Sequence, residues 1–168
     1  MEKNEIVIQT LNNFKLPTYE EIPNVGLYLD QVTKYINSFL EEYDEMNVTP
    51  SMISNYVKLK LISKANKKTY SRDQIAGFIF IVFAKTVLSM NHIQYLLRLQ
   101  QEKYSTKEAY SYFRDELLKE INLFCSNERN DIGEEKVEEK RMLHYVVVTI
   151  AHKMYLDCYF RETEVSKD

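Results

Sequence analysis

The chain has 168 residues, 45% of them apolar and 12% aromatic, which is enough material for a core and excludes wholesale disorder. Three glycines and three prolines leave too few turn residues for an all-β fold, and a formal net charge of −3 excludes a uniformly basic protein. Residues 1–15 lack the pattern of a secretory leader, the longest apolar run (Ile75–Ala84) is about half of what spans a bilayer, and the two cysteines have no framework spacing. These features predict a cytoplasmic protein with no membrane partner.

Charge is unevenly placed. Residues 46–101 carry eight Lys and Arg against Asp73 alone, while residues 1–45 carry three against nine acids and residues 102–168 eleven against fifteen. A basic segment between acidic flanks suits a confined polyanion-binding face.

In chain order, residues 1–14 are polar and read as a loosely held N-terminus. Two prolines make Leu16–Pro23 an extended arm. Leu29, Val32, Ile36, Phe39, Leu40 and Tyr43 recur at three and four, predicting a helix from about Val25 to Glu45. After a polar turn, Thr49 and Pro50 form a helix start, and a short helix runs from Pro50 to Leu59. Its apolar stripe is Met52, Ile53, Tyr56 and Val57, and its other side carries Ser51, Ser54, Asn55 and Lys58.

Residues 64–70 fit a small hairpin with Asn66 at its tip, because Asn tolerates left-handed angles. Ser71 with Gln74 is a capping box, and it decides that Phe78–Phe83, strand-like by propensity, belongs to a buried helix reaching about Val87. Ser89 caps a further helix through Ile93, Leu96 and Leu97. Ser105 with Glu108 opens an amphipathic helix with Ala109, Tyr112, Phe113, Leu117, Ile121 and Phe124 on one face. Residues 126–133 read as a loop, residues 134–160 as a final helix apolar nearly all round its middle, and the residues from Arg161 as a disordered tail.

Val48-Thr-x-x-Met-Ile-x-x-Tyr56, Leu61-Ile62, Lys68-x-Tyr70-Ser-x-x-Gln-Ile75 and Leu88-Ser-x-x-x-Ile93 together resemble the MerR-type winged helix-turn-helix over about residues 46–99. More closely, Leu16-Pro, Glu20-Glu-Ile-Pro23, Tyr28-Leu-Asp-Gln-Val32, Thr49 to Lys58 and Lys67 to Arg72 are similar to an uncharacterised bacterial family, domain of unknown function 1836. The first resemblance implies a DNA-binding regulator. Three departures qualify it: Ser54 and Asn55 stand where that family has arginine and tyrosine, Lys60 stands where it has glycine, and the wing is short.

For the short helix, Asn55 suits a bidentate contact to an adenine edge, and Ser51, Ser54 and Lys58 share its side. Lys64, Lys67, Lys68 and Arg72 suit phosphate, with Tyr70 packed in the wing beside them. His144, His152 and Cys158 are spaced at eight and six, not at the three or four that converge on a metal, and no nucleophile elbow or Gly-rich phosphate loop occurs.

The expectation is therefore a mainly all-α fold: an N-terminal arm (1–23), a winged helix-turn-helix (24–100), a C-terminal helical dimerisation or effector region (101–160) and a tail (161–168). The expected function is regulation of transcription through double-stranded DNA. It is expected to act as a homodimer, without cofactor, metal or enzymatic activity, and with room for an unknown small-molecule effector. The alternative is a helical adaptor that keeps the fold and binds protein; a small-molecule-sensing or enzymatic helical domain has least support.

Overall fold

The computed structural model describes residues 3–126 and 137–165. Among them the chain is mainly helical, with seven α-helices and one small antiparallel sheet. In order these are α1 (Lys3–Asn12), β1 (Leu27–Tyr28), α2 (Leu29–Asn37), α3 (Pro50–Lys58), β2 (Thr69–Tyr70), α4 (Arg72–Ala84), α5 (Met90–Lys103), α6 (Thr106–Ser126) and α7 (Glu138–Val165), with a 3₁₀ turn at Asp44–Met46 between α2 and α3. The chain divides into two compact units, one of Leu16–Tyr112 and one of Met1–Lys15 with Phe113–Asp168.

Within the Leu16–Tyr112 unit, α4 is the centre. Ile75, Ala76 and every residue from Phe78 to Ala84 are buried, so the helix is covered on most sides. The Ser71 cap starts it as expected: Ser71 Oγ accepts from the Gln74 amide (3.4 Å) and Gln74 Oε1 accepts from the Ser71 amide (2.9 Å). Capping likewise starts α5, where Ser89 Oγ accepts from the His92 amide, and α6, where Ser105 and Glu108 bond reciprocally.

α2 is shorter than its apolar periodicity suggests. Tyr28 is extended at φ −70°, ψ 159°, its amide held by Gln31 Oε1 at 2.9 Å, and the helix ends at Asn37. Leu40, Tyr43 and Met46 continue the inward pattern from turns and a 3₁₀ turn, being 0%, 3% and 3% exposed. Periodicity alone cannot separate such turns from a helix.

The hairpin also differs from expectation. Asn66 and Thr69 pair with each other (amide to carbonyl 2.9 Å in both directions), so the tip is Lys67–Lys68 and Asn66 lies at its base. β2 pairs with β1, in the register Leu27 to Tyr70 and Tyr28 to Thr69. The approach beside β1 is close: a Cβ on Gly26 would lie 2.4 Å from Thr69 Oγ1.

In the other unit, residues 3–12 are not loose. They form α1, which packs on α7 with Val7 and Leu11 buried. α7 buries Val147, Ile150, Ala151, Met154 and Cys158 on one face, leaving Tyr145, Leu156, Tyr159 and Phe160 exposed, so its apolar residues all round serve a core on one side only. α7 continues past Phe160 to Val165. The expected loop beyond Ser126, the expected helix start at Glu134 and the last three residues lie outside the described residues. No described helix is long and apolar enough to cross a membrane.

Asn37 joins α2 to the approach of α3. Its Nδ2 donates to the Val48 carbonyl and its Oδ1 accepts from the Val48 amide, both at 2.9 Å. Replacing Asn37 by Ala leaves both half-buried groups of Val48 without these partners, which costs about 1–3 kcal/mol. The urea midpoint of Asn37→Ala is expected to fall accordingly; an unchanged midpoint would show that the pair does not hold the joint.

Candidate nucleic-acid interface

α3 starts where a proline can do no harm. Thr49 is extended (φ −111°, ψ 159°), its Oγ1 accepts from the Met52 amide at 3.2 Å, and Pro50 takes the first helical position. Ile53 and Tyr56 turn inward and are buried. Ser51, Asn55 and Lys58 are exposed and Ser54 half-exposed, at spacings that place them on the solvent side of the helix.

At its other end α3 closes with a two-bond C-cap. The Lys60 amide donates to the Val57 carbonyl and the Leu61 amide to the Tyr56 carbonyl, both at 3.0 Å, with Lys60 at φ 60°. This is the arrangement in which glycine normally occupies the left-handed position and the two flanking apolar residues meet. Leu61 and Tyr56 are indeed both buried.

The wing turn repeats the pattern. Lys67 (φ 47°) and Lys68 (φ 66°) occupy both central positions of a two-residue hairpin loop in the left-handed region, where Asn-Gly is the usual choice. The only non-glycine residues with positive φ among the described residues are thus Lys60, Lys67 and Lys68, and all three are exposed. A side chain in that region costs of order 1 kcal/mol or more. Lys64 is exposed as well, and its carbonyl accepts from Gln74 Nε2 at 3.1 Å.

Two of the nine expected contact residues are committed elsewhere. Arg72 Nε donates to the Ile22 carbonyl at 2.8 Å and Nη2 to the Glu20 carbonyl at 3.1 Å, while its guanidinium lies 5.3 Å from the Tyr19 ring centroid. Arg72 is therefore a clamp on the 18–22 turn and not an open cation. Tyr70 is 7% exposed and meets Phe78 edge to face at 5.2 Å, so it packs in the core beneath the wing. The remaining seven, Ser51, Ser54, Asn55, Lys58, Lys64, Lys67 and Lys68, all belong to the Leu16–Tyr112 unit and carry no acid among them. Asp73, the one acid of the basic segment, accepts from the Tyr19 hydroxyl at 2.6 Å.

Sequence reasoning missed Lys60 as a presented cation, Asn37 as a joint and Arg72 as a clamp. The glycine-to-lysine departure at position 60 was the available signal for the first; nothing local announces the other two, since their partners lie 11 and 50 or more residues away. In the other unit, His144 Nδ1 lies 3.6 Å from the Glu116 carboxylate and His152 Nδ1 lies 2.6 Å from the Val148 carbonyl, consistent with structural roles.

Tyr56 carries the one described buried side-chain polar atom without a hydrogen-bond partner, its hydroxyl. Burial pushes its pKa up to about 12, above the ordinary tyrosine value near 10. The unfolded chain therefore ionises first, so this contribution to stability is present below pH 10 and is lost as pH rises towards 12. Tyr19 is also raised to about 12, first by its hydrogen bond to Asp73 and then by burial. Tyr56→Phe is expected to be at least as stable as the parent at pH 7, because it removes an unsatisfied hydroxyl. It should also lose less stability between pH 10 and 12, measured as the urea midpoint against pH; a slope equal to the parent's would contradict the assignment.

Residues 17–113, almost coincident with the Leu16–Tyr112 unit and more than half of the chain, match the family model described as Domain of unknown function (DUF1836). No curated protein and no solved structure matches the chain.

Proposed function

Since the chain belongs to the DUF1836 family, and its basic segment falls inside the matched region, we propose that it is a DNA-binding transcriptional regulator of winged helix-turn-helix type. In this reading α2, the turn and α3 form a MerR-like helix-turn-helix, and residues 64–70 form the wing. Asn55 reaches a base edge, Ser51, Ser54 and Lys58 reach bases or phosphate, and Lys64, Lys67 and Lys68 neutralise phosphate. Arg72 and Tyr70 hold the frame beneath them.

The observation that carries the proposal is the Lys67–Lys68 turn. Both residues occupy a backbone region that Asn-Gly would enter with less strain, and both project an exposed ammonium from the tip. A strained local choice that stability does not reward points to a role in binding. One short reading helix covers few base pairs, so the protein acts as a homodimer. The exposed Tyr145, Leu156, Tyr159 and Phe160 of α7 support a protein contact outside the DNA-reading unit. No catalytic step is assigned.

Fluorescence anisotropy with arbitrary duplex DNA across a salt series tests the reading. Wild-type protein should bind at low salt, with log affinity falling against log salt by about 0.9 per phosphate contacted. The double variant Lys67→Asn, Lys68→Gly should be more stable by roughly 1–2 kcal/mol and yet bind more weakly, with the slope reduced by about 1.8. Absence of binding by the wild type at low salt, or an unchanged slope in the double variant, would overturn the proposal.

A further inference from the structure

Lys60 is not explained by the stability of α3. A cation near a helix C-terminus is favourable, but Lys58 already supplies one in the last turn from ordinary helical backbone. Lys60 instead sits one place past the cap at φ 60°, the position a glycine fills without strain. Its exposure leaves the ammonium in solvent next to Leu59, itself 42% exposed at the end of the helix.

α5 meets the chain at this point. Gln94 Nε2 donates to the Leu59 carbonyl at 3.4 Å, bringing the middle of α5 beside the α3 cap. Asn91 and Arg98 lie three residues before and four residues after Gln94, so they share its side of the helix, and both are exposed. Tyr95, 55% exposed, flanks them. From Asn91 to Arg98 this side carries hydrogen-bond donors and one guanidinium with no carboxylate; Glu102, one turn beyond Arg98, ends the strip.

From this geometry we infer that Lys60 and Arg98, with Asn91 and Tyr95, form a second phosphate-contacting patch at the C-terminal end of α3. The inference rests on the DNA reading above and deepens it. The duplex then has two separate anchors on the unit, the wing tip and the α3–α5 cap, at the two ends of the segment that follows the reading helix. A cation and neighbouring side-chain donors are the groups that hold phosphate and sugar in place without reading sequence, so the patch adds affinity and orientation and leaves base preference unchanged.

The test uses the full chain, a duplex of arbitrary sequence, salt-series anisotropy and hydroxyl-radical footprinting. Lys60→Gly should raise the thermal midpoint by about 2–4 °C, because it relieves the backbone, while lowering affinity about tenfold at 0.05 M salt and the slope by about 0.9. Lys60→Arg retains the slope, since the cation remains. Arg98→Gln lowers the slope by a similar step, and the Lys60→Gly, Arg98→Gln double variant shortens the protected stretch at one edge only. If wild type and Lys60→Arg bind while Lys60→Gly and Arg98→Gln keep the parental slope and footprint, the second patch is refuted and the wing-based reading stands. If the wild type binds no duplex at low salt, both fall together.

Discussion

Gln74 uses both ends of one side-chain amide. Its oxygen accepts from the Ser71 amide, and its nitrogen donates to the Ser63 carbonyl, the Ser63 hydroxyl and the Lys64 carbonyl at 2.9, 3.1 and 3.1 Å. The first bond caps α4; the other three tie the entry of the wing to it. Arg72, two residues earlier, ties the 18–22 turn to the same helix end. A sheet of two residues per strand has no stability of its own, so β1 and β2 persist because they are attached at this point to a helix buried on most sides. The candidate surface is thus thin, and its rigidity is borrowed from the first turn of α4.

Stability and presentation pull against each other along the basic segment. At its helix ends the chain obeys local rules closely: serine and threonine caps, proline at a first helical position, paired apolar residues under the α3 cap. At the surface it departs from them three times, each time by placing lysine on left-handed backbone. Asn at 66, which would tolerate that region, is instead used at the hairpin base, where its carbonyl also accepts from Thr69 Oγ1 at 3.0 Å. All three departures coincide with exposed charge.

Much of the helical framework was legible because it is written in local signals. The caps at Thr49, Ser71, Ser89 and Ser105 each mark a helix start in four residues, and the Ser71 box correctly outweighed the β propensity of Phe78–Phe83. What was not legible depends on distant partners. α1 is weakly patterned and exists against α7; the β1–β2 pair joins residues more than forty apart; the roles of Asn37 and Arg72 appear only once Val48 and the 18–22 turn arrive. The α2 boundary failed for another reason: turns can keep Leu40 and Tyr43 pointing inward as well as a helix can. On the candidate surface the residue types could be read in advance, but not the backbone that presents them. Position 60 reads from sequence as a missing glycine, and Arg72 as a phosphate cation, whereas its guanidinium donates to the Ile22 and Glu20 carbonyls.

The placement of α1 has a consequence for the order in which the protein is made. Its contacts lie at the far end of the chain: the Ile8 carbonyl accepts from the Cys125 thiol at 3.7 Å, and Asn4 Oδ1 accepts from the Tyr155 hydroxyl at 3.1 Å. At about 5–20 residues per second on the ribosome, α1 waits on the order of ten seconds for these partners. The Leu16–Tyr112 unit emerges whole during that interval. A ten-residue helix is marginal in water by itself, so α1 (Lys3–Asn12) is fixed only when these partners arrive, and the burial of Val7 and Leu11 waits for them.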